Sequence, residues 1–362
     1  MKKFRVNGVQ LSSPVFFPDA TRGVIRGVDS EDLKMADIEG VIVNTYHLMS
    51  HPGAGVIKDV GGIKNFMNWK GCVISDSGGF QLLSMIYKDS SFGKVSHEGV
   101  IFYRKGNKVL FGPEKCIQTQ FAIGSDIMIC LDDCPAAGSD NNTNKLSVSR
   151  TIDWARRCKN EYLKQLEQRK LSDISRPLLF AVIQGGDDKG ERERCAFELR
   201  NIGFDGFGFG GWPLDTEGKP NLDILSYTAS LMPDNLPKYA LGVGSPQSII
   251  DCTLMGYDIF DCVLPTRDAR HKRLYVFNKN PADINFTLDK NIIGYIYIVD
   301  EKYVRDSRPL SEYCDCYSCK NYSREYISHL FSIGDSLASR LSTIHNLRTY
   351  TLLMDLLRKY DR

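Results

Sequence analysis

The sequence predicts a (β/α)8 barrel, and three observations support this prediction. Eight short apolar segments recur along the chain, each ends in polar or glycine residues, and stretches with helical spacing separate them. The apolar runs are nearly continuous rather than alternating, which is typical of parallel strands that are buried on both faces. The segments are 13–21, 40–48, 71–79, 125–133, 177–186, 203–211, 238–245 and 257–266.

Segments 151–170 and 191–202 carry apolar residues at helical spacing, so we predict that they are two of the helices that cross from strand to strand. An open, doubly wound sheet is the alternative fold. It would need fewer strands, and it usually has a glycine-rich phosphate-binding turn after the first strand, which this sequence lacks.

Composition indicates a soluble globular protein, with 362 residues of which 42% are hydrophobic and 25% charged. No apolar run reaches the roughly 20 residues of a membrane helix, and segment 1–14 lacks the apolar region of a signal peptide. We therefore expect a cytoplasmic protein without a membrane partner. The formal net charge is +2, so any contact with nucleic acid must come from a local basic patch.

Polar residues and glycines follow the predicted strands, at the end of the barrel where such folds assemble their active sites. Any single Asp or Asn there could instead cap the following helix. Four acidic residues that converge on one mouth nevertheless favour catalysis. The strand-end residues are Asn44, Asp76, Ser77, Asp132, Asp133, Gln184, Gly210, Gly211 and Asp261.

Segment 256–273 changes character halfway along its length. Its first half sets Asp258 and Asp261 in an apolar strand, and its second half contains Arg267, Arg270, His271, Lys272 and Arg273. Carboxylates at a strand end with cations just beyond them fit a polyanionic substrate. A solvated basic loop is the plainer interpretation of the second half.

Three cysteines with C-x-C-x2-C spacing, Cys314, Cys316 and Cys319, precede His345 by 26 residues or more. Three thiolates and one imidazole complete a closed tetrahedral shell, which is typical of structural zinc. Disulfides and unpartnered cysteines are the alternatives, and His329 competes with His345 on spacing alone. The metal would divide the chain into a barrel at 1–280 and a zinc-binding subdomain at 281–362.

Several motifs together resemble the tRNA-guanine transglycosylase family, in order over nearly the whole chain. They are DSGGFQ (76–81), IQGG (183–186), LGVGSP (241–246), GYDIFDCVLPTRDAR (256–270) and the cysteine turn with a distant HN (345–346). The resemblance implies a homodimeric zinc enzyme that exchanges the wobble guanine of a tRNA anticodon loop for a free 7-deazaguanine base, either queuine or a queuosine precursor. It also favours His345 over His329 as the fourth zinc ligand.

The resemblance also implies roles for individual residues. Asp261 is similar to the nucleophile that attacks the ribose, and Asp76 to the general acid/base, in a double displacement through a covalent intermediate. Arg267 and Arg270 would bind the flanking phosphates, with Lys272 and Arg273 in the same basic run. The residues that would bind the base are Ser77, Phe80, Asp132, Gln184, Gly210, Gly211 and Leu241.

The segment WPLDTEG (212–218) departs from the family pattern where the incoming base is chosen. Trp212 is bulky, Pro213 has no backbone donor, and either Asp215 or Glu217 replaces the usual glutamate. Base exchange on DNA, an unusual 7-deazapurine, or a non-catalytic tRNA-binding subunit are the alternatives. The presence of both candidate catalytic carboxylates argues against the last of these.

Overall fold

A computed structural model of the chain describes residues 2–6, 8–104, 106–214, 217–284 and 291–360. Its strands are β1 (Lys3–Val6), β2 (Val9–Ser12), β3 (Val15–Pro18), β4 (Gly40–Asn44), β5 (Cys72–Asp76), β6 (Gly93–Ser96), β7 (Gly99–Arg104), β8 (Asn107–Phe111), β9 (Ile127–Ile129), β10 (Leu178–Ile183), β11 (Gly206–Phe209), β12 (Lys238–Ala240), β13 (Ile259–Cys262), β14 (Arg273–Phe277) and β15 (Ile293–Tyr297). Its helices are α1 (Ser30–Met35), α2 (Thr45–Ser50), α3 (Ala54–Asp59), α4 (Ile63–Met67), α5 (Gly79–Lys88), α6 (Pro113–Ile123), α7 (Asn141–Arg169), α8 (Lys189–Ile202), α9 (Leu222–Leu231), α10 (Pro246–Leu254), α11 (Leu264–Arg270), α12 (Tyr317–Asn321), α13 (Arg324–Ser332) and α14 (Ser336–Lys359), with 3-10 turns at Pro281–Asp283 and Glu301–Tyr303.

Eight parallel strands form the central sheet, in the order β3-β13-β12-β11-β10-β9-β5-β4. The two outer strands of this order, β3 and β4, also adjoin each other. Asp19 and Ile42 form a parallel bridge there, and the N–H of Ala20 donates to the Ile42 carbonyl at 2.7 Å. Each of the eight predicted segments contains one of these strands. The predicted barrel is therefore confirmed, and the carboxyl ends of all eight strands meet at one mouth.

The opposite end of the barrel is covered by the β1–β2 hairpin. Val6 and Leu11 of this hairpin join the buried cluster inside the barrel, to which Phe17 and Phe180 also belong. Asp258, at the amino end of β13, is fully buried and accepts a 2.9 Å hydrogen bond from Nζ of Lys2. Asp258 thus fastens the hairpin at the end of the barrel that lies away from the mouth.

Two parts of the chain differ from the sequence prediction. The helix predicted at 151–170 begins at Asn141, because Asp140 caps it by accepting from the N–H of Thr143 at 2.7 Å. The strands β6, β7 and β8 form an antiparallel three-stranded sheet that was not predicted. The strands β6 and β8 are short and only partly buried, and they lack the continuous apolar runs of the barrel strands.

The long helix α14 packs against the outside of the barrel. The Tyr350 hydroxyl donates to the Gly244 carbonyl at 2.7 Å, and its ring centroid lies 4.7 Å from that of Phe16 on β3. The division of the chain at residue 280 stays a prediction. None of the helices in the described part of the chain has the length and apolar character needed to cross a membrane.

Candidate active site

The strand ends surround one cavity of about 430 Å³, here called the catalytic cavity. All the predicted catalytic and base-binding residues line it except Ser77, which is buried and whose hydroxyl accepts from the N–H of Gly79 at 3.2 Å. Convergent polar groups in a cavity of this size are typical of a small-molecule site. The lining comprises Asp19, Thr21, Ile42, Val43, Asn44, Asp76, Phe80, Asp132, Cys134, Val182, Gln184, Phe209, Gly210, Gly211, Trp212, Pro213, Leu214, Leu241, Gly242 and Asp261.

Asp261 lies on β13 and faces this cavity. Its Oδ1 accepts two hydrogen bonds, from the Tyr239 hydroxyl at 2.7 Å and from the N–H of Gly242 at 2.9 Å. Burial raises the pKa of Asp261 to about 6, and these two donors limit the rise. Among the described residues no hydrogen bond reaches Oδ2, so this oxygen is available to a bound substrate.

Asp76 ends β5, which is separated from β13 by β3 and β4 around the mouth. Nδ2 of Asn44 donates to its Oδ2 at 2.8 Å, while Oδ1 of Asn44 caps α2. Burial raises the pKa of Asp76 to about 7, and the negative charge of Asp132 adds to the rise. A carboxyl group with a pKa near neutrality suits general acid/base catalysis.

Asp132 and Gln184 form a polar pair on the floor of the cavity, with Nε2 of Gln184 donating to Oδ2 of Asp132 at 2.7 Å. Gln184 is fully buried, and its Oε1 has no hydrogen-bond partner within the described part of the chain. Burial raises the pKa of Asp132 to about 6. An unpaired buried oxygen beside a carboxylate matches a ligand that presents several hydrogen-bond donors.

Arg192 of α8 holds the neighbouring strand ends together from behind. It is almost fully buried, and it donates to the carbonyls of Ile183 at 3.2 Å, Gly186 at 2.7 Å and Gly210 at 3.1 Å. A Cβ atom at Gly210 would lie only 2.6 Å from Nε2 of Gln184, so glycine is required there. The hydrogen bonds of Arg192 hold in place the turn that carries the predicted base-binding glycines.

Two exposed aromatic rings lie at the edge of the cavity. Phe80 and Trp212 have ring centroids 5.2 Å apart at an interplanar angle of 61°. Nε1 of Trp212 donates to the Pro135 carbonyl at 3.1 Å, and the N–H of Asn221 donates to the Pro213 carbonyl at 3.0 Å. These bonds hold the segment after Gly211 in place. Asp215 lies outside the described residues, and Glu217 is exposed.

A basic groove of about 330 Å³ adjoins the catalytic cavity and shares Asp19 and Thr21 with it. The three arginines of this groove, Arg22, Arg26 and Arg270, form no salt bridge with a carboxylate of the described residues. Burial and the charge of Arg26 lower the pKa of Arg270. Three arginines outnumber Asp19, the one carboxylate in the lining of this groove, which fits an anion. The groove is lined by Asp19, Thr21, Arg22, Val24, Arg26, His47, Val263, Thr266 and Arg270.

The other residues of the predicted basic run lie in different surroundings. The side chain of Arg267 is half exposed near the groove, and Lys272 is exposed at a positive φ of 68°. Arg273 instead pairs with Asp268 at 2.8 Å and lies over the ring of Tyr295 at 4.7 Å. The run is thus divided between the groove and the packing of β14 against β15.

The structure also brings together the four predicted metal ligands. The ligand atoms of Cys314, Cys316, Cys319 and His345 all lie within 4.8 Å of one another. Nδ1 of His345 faces the cysteines, 3.3 Å from Sγ of Cys319, while Nε2 is 2.8 Å from the Tyr275 carbonyl. A bond on the far nitrogen orients a histidine for metal binding. The donor set therefore fits a metal ion.

Sequence reasoning missed several residues that shape the site. Tyr239 and Arg192 are buried within a strand and a helix, so in the sequence they look like a core residue and a solvated charge. Arg22 and Arg26 could have been found, because they follow the first predicted strand at the mouth of the barrel. Because Arg22 and Arg26 lie far from segment 256–273 in the sequence, the groove that they share with Arg270 was not predicted.

Comparison with known proteins gives one family over nearly the whole chain. The family model described as queuine tRNA-ribosyltransferase matches residues 1–360. A protein of Staphylococcus haemolyticus with that name is 39% identical over 353 residues, which is 97% of this chain and 86% of the relative. A protein of Bacillus subtilis with the same name is 38% identical over 352 residues, which is 97% of this chain and 85% of the relative.

Proposed function

Because the chain belongs to the queuine tRNA-ribosyltransferase family, we propose that it exchanges the wobble guanine of a tRNA for a free 7-deazaguanine base. This is a pentosyl transfer in which the glycosidic bond is exchanged and the polymer strand stays whole. The observation that carries the proposal is one cavity that contains two carboxylates suited to catalysis, Asp76 and Asp261. Beside them lies a polar surface of the size of a purine base.

The reaction starts with Asp261 as nucleophile. Its free Oδ2 attacks the anomeric carbon while the glycosidic bond to guanine breaks, which forms an ester between enzyme and ribose. Tyr239 and Gly242 hold the other oxygen, so the carboxylate is oriented and kept ionised near neutral pH. Asp76, with its raised pKa, donates a proton to the leaving guanine.

The second displacement reverses these roles. Asp76, now ionised, removes the proton from the ring nitrogen of the incoming 7-deazaguanine, and that nitrogen attacks the ribose carbon and releases Asp261. Asp132 accepts from the amino and N1–H groups of either base, while the side-chain N–H of Gln184 and the backbone N–H of Gly211 donate to the carbonyl edge. Phe80 and Leu241 pack against the base faces.

The basic groove binds the polymer beside the reacting nucleotide. Arg270, with Arg22 and Arg26, contacts phosphates that flank the extruded guanosine, and Arg267 extends this surface. An anticodon loop suits the site because its bases are already unpaired, which lowers the cost of turning one into the cavity.

The metal that fits the Cys3His cluster is zinc, in a structural role. When bound, it supplies a crosslink between the cysteine turn and α14. Next to His345, Asn346 accepts from the N–H of Tyr275 at 3.0 Å and donates to the Pro265 carbonyl at 3.0 Å. The ion thereby supports α11, which carries Arg267 and Arg270.

We also propose that the zinc region is a separate subdomain, and that the protein is a cytoplasmic homodimer. Light scattering tests the homodimer.

The decisive experiment follows radiolabelled guanine into unmodified tRNA. We expect incorporation by the wild-type protein, no incorporation by Asp261→Ala, and a denaturant-resistant protein–tRNA adduct only when Asp261 is present. Asp223→Asn, which changes an exposed carboxylate on α9, is the matched control and should retain full exchange. Exchange by Asp261→Ala would contradict the assignment of Asp261 as the nucleophile. Label that enters DNA rather than tRNA would contradict the assignment of tRNA as the substrate.

A further inference from the structure

Two residues, Asp19 and Thr21, line both the catalytic cavity and the basic groove. Asp19 is half-buried just after β3, and the proposed reaction leaves it without a role. It lies in the lining of the groove beside three arginines. A carboxylate repels the phosphates that such a groove binds, so its presence there requires a separate explanation.

The register of the sheet places Asp19 next to the proposed nucleophile. The strands β3 and β13 are neighbours, and Phe17 lies opposite Asp261. Asp19 follows Phe17 by two residues, so its side chain projects on the same side of the chain, nearer to the opening of the cavity. On its other side, Asp19 forms a bridge with Ile42. Asp19 therefore lies above Asp261, at the wall between the cavity and the groove.

The negative charge of Asp19 acts on groups in both spaces. Burial raises the pKa of Asp76 and that of Asp261, and the charge of Asp19 adds to both rises. In the groove, burial lowers the pKa of Arg270, and the charge of Asp19 opposes this change. Electrostatic interactions weaken with distance, so Asp19 is close to the two catalytic carboxylates and to a phosphate-binding arginine.

One oxygen of Asp19 is held in place, and the other is open. Oδ1 accepts hydrogen bonds from the N–H of Thr21 at 2.8 Å and from the Thr21 hydroxyl. Within the described residues, no hydrogen bond reaches Oδ2. An ionised carboxylate only accepts hydrogen bonds, so Oδ2 matches a ligand group that donates one.

The ribose of the reacting nucleotide offers one such donor. The base enters the catalytic cavity and the flanking phosphates lie in the basic groove, so the sugar passes the wall that contains Asp19. Inside a polymer, the 3′ and 5′ oxygens are esterified with phosphate, and the 2′-hydroxyl is the remaining hydroxyl of the ribose. Its carbon is bonded to the anomeric carbon that Asp261 attacks. Deoxyribose has no hydroxyl at this position.

We propose that Asp19 determines specificity for RNA, because its Oδ2 accepts a hydrogen bond from the 2′-hydroxyl of the reacting guanosine. The inference rests on the proposed base exchange and identifies the sugar that the same site selects. A 2′-hydroxyl is the group by which a protein distinguishes RNA from DNA at a given position. Hydrogen bonds to it strengthen as the sugar gains positive charge in the transition state. With deoxyribose, Oδ2 lies near the phosphates without a donor.

The test measures the binding of anticodon-loop hairpins by fluorescence anisotropy, which does not depend on turnover. One hairpin is entirely RNA, a second has 2′-deoxyguanosine at the target position, and a third has a single deoxynucleotide beside the target. We expect the wild-type protein to bind the first at least about tenfold more tightly than the second, as one hydrogen bond to a charged group allows. Equal binding of these two hairpins would overturn the inference, and so would a loss confined to the third.

Substitutions of Asp19 show whether this side chain causes the preference. Asp19→Ala should reduce the preference for the RNA hairpin over the second hairpin about tenfold. Asp19→Asn keeps the size of the side chain and should reduce the preference by a smaller factor, because a neutral amide forms a weaker hydrogen bond. Asp59→Ala is the matched control, since Asp59 is an exposed carboxylate on α3 that lines neither space. It should keep the full preference.

An unchanged preference in both Asp19 variants would overturn the inference. Equal weakening of both hairpins would do the same, because it would assign Asp19 to the fold of the mouth rather than to the sugar. Guanine exchange with these hairpins separates the inference from the proposed function. A wild-type protein that shows the binding preference but exchanges no guanine would contradict the proposed function only. Exchange with a preference for RNA that Asp19→Ala does not reduce would contradict the inference only.

Discussion

The hydroxyl group of Tyr239 lies 2.7 Å from Oδ1 of Asp261 and donates a hydrogen bond to it inside the barrel. Both residues belong to neighbouring parallel strands, β12 and β13, so the sheet register itself holds them in place. The bond stabilises the ionised carboxylate and opposes the rise in pKa that burial causes.

Tyr239→Phe should therefore raise the pKa of Asp261 further and reduce guanine exchange. A neutral hydrogen bond to a charged partner contributes about 1.5–3 kcal/mol, so we expect kcat/KM to fall about tenfold or more at neutral pH. The acid limb of the pH–rate profile should move to higher pH. A loss of rate with an unmoved limb would show that Tyr239 acts only through packing.

The pH dependence of adduct formation in the wild-type protein should be bell-shaped. The first displacement needs Asp261 ionised, with a pKa of about 6, and Asp76 protonated, with a pKa of about 7. These carboxyl groups influence each other, so the two limbs belong to the pair. Rapid-quench measurement of the adduct checks this, and Asp76→Asn should lose the alkaline limb. A rate that stays flat across both limbs would contradict the assignment.

The barrel and most of the cavity could be predicted because parallel strands bring their carboxyl ends together. Asp76 and Asp261 lie far apart in the sequence, yet each ends an apolar run, and that alone placed both at the mouth. Tyr239 and Arg192 could not be predicted in this way. Their importance lies in which atoms they reach from buried positions, and a single sequence does not record that distance.

The unpredicted β6–β7–β8 sheet illustrates the same limit. Short strands that are only partly buried, such as β6 and β8, carry little of the apolar pattern that identifies a buried strand. Sequence reasoning identified Trp212 as unusual, but only the structure shows that its ring lies against Phe80 at the edge of the catalytic cavity.

Asp76→Asn should stabilise the folded protein at alkaline pH. Folding raises the pKa of Asp76 from 3.8 to about 7. The ionised carboxylate therefore lowers the free energy of unfolding, with its full effect above about pH 7, and this cost disappears as the pH falls toward 3.8. After allowance for solvent in the cavity, we expect a gain of about 1–2 kcal/mol near pH 8 and a smaller gain near pH 5. Urea unfolding at both pH values measures this. A gain that is larger at the acidic pH would contradict the raised pKa.

Arg270→Ala should weaken tRNA binding and reduce its dependence on salt. Loss of one phosphate contact is expected to lower the slope of log K against log salt by about 0.7 to 0.9 and to cost about 1–3 kcal/mol. Filter binding at several salt concentrations checks both quantities. Arg200→Ala, an exposed arginine on the outer helix α8, should change neither. An equal change in both variants would mean that the basic groove has no special role.

Removal of the metal should weaken the fold and tRNA binding together. Cys316→Ser removes one of four ligands from a buried cluster, and His345 then loses one of the thiols that face its Nδ1. The neighbouring Asn346 bonds to Tyr275 and Pro265 depend on the position of α14, so α11 and its arginines should loosen as well. We expect about one zinc ion per wild-type chain by elemental analysis, none in the variant, and a loss of more than about 3 kcal/mol of stability. His329→Ala is the matched control. His329 lies on α13 outside the cluster, so this variant should keep both its metal and its stability. A Cys316→Ser protein that retains wild-type stability and tRNA affinity would refute the structural role of the metal.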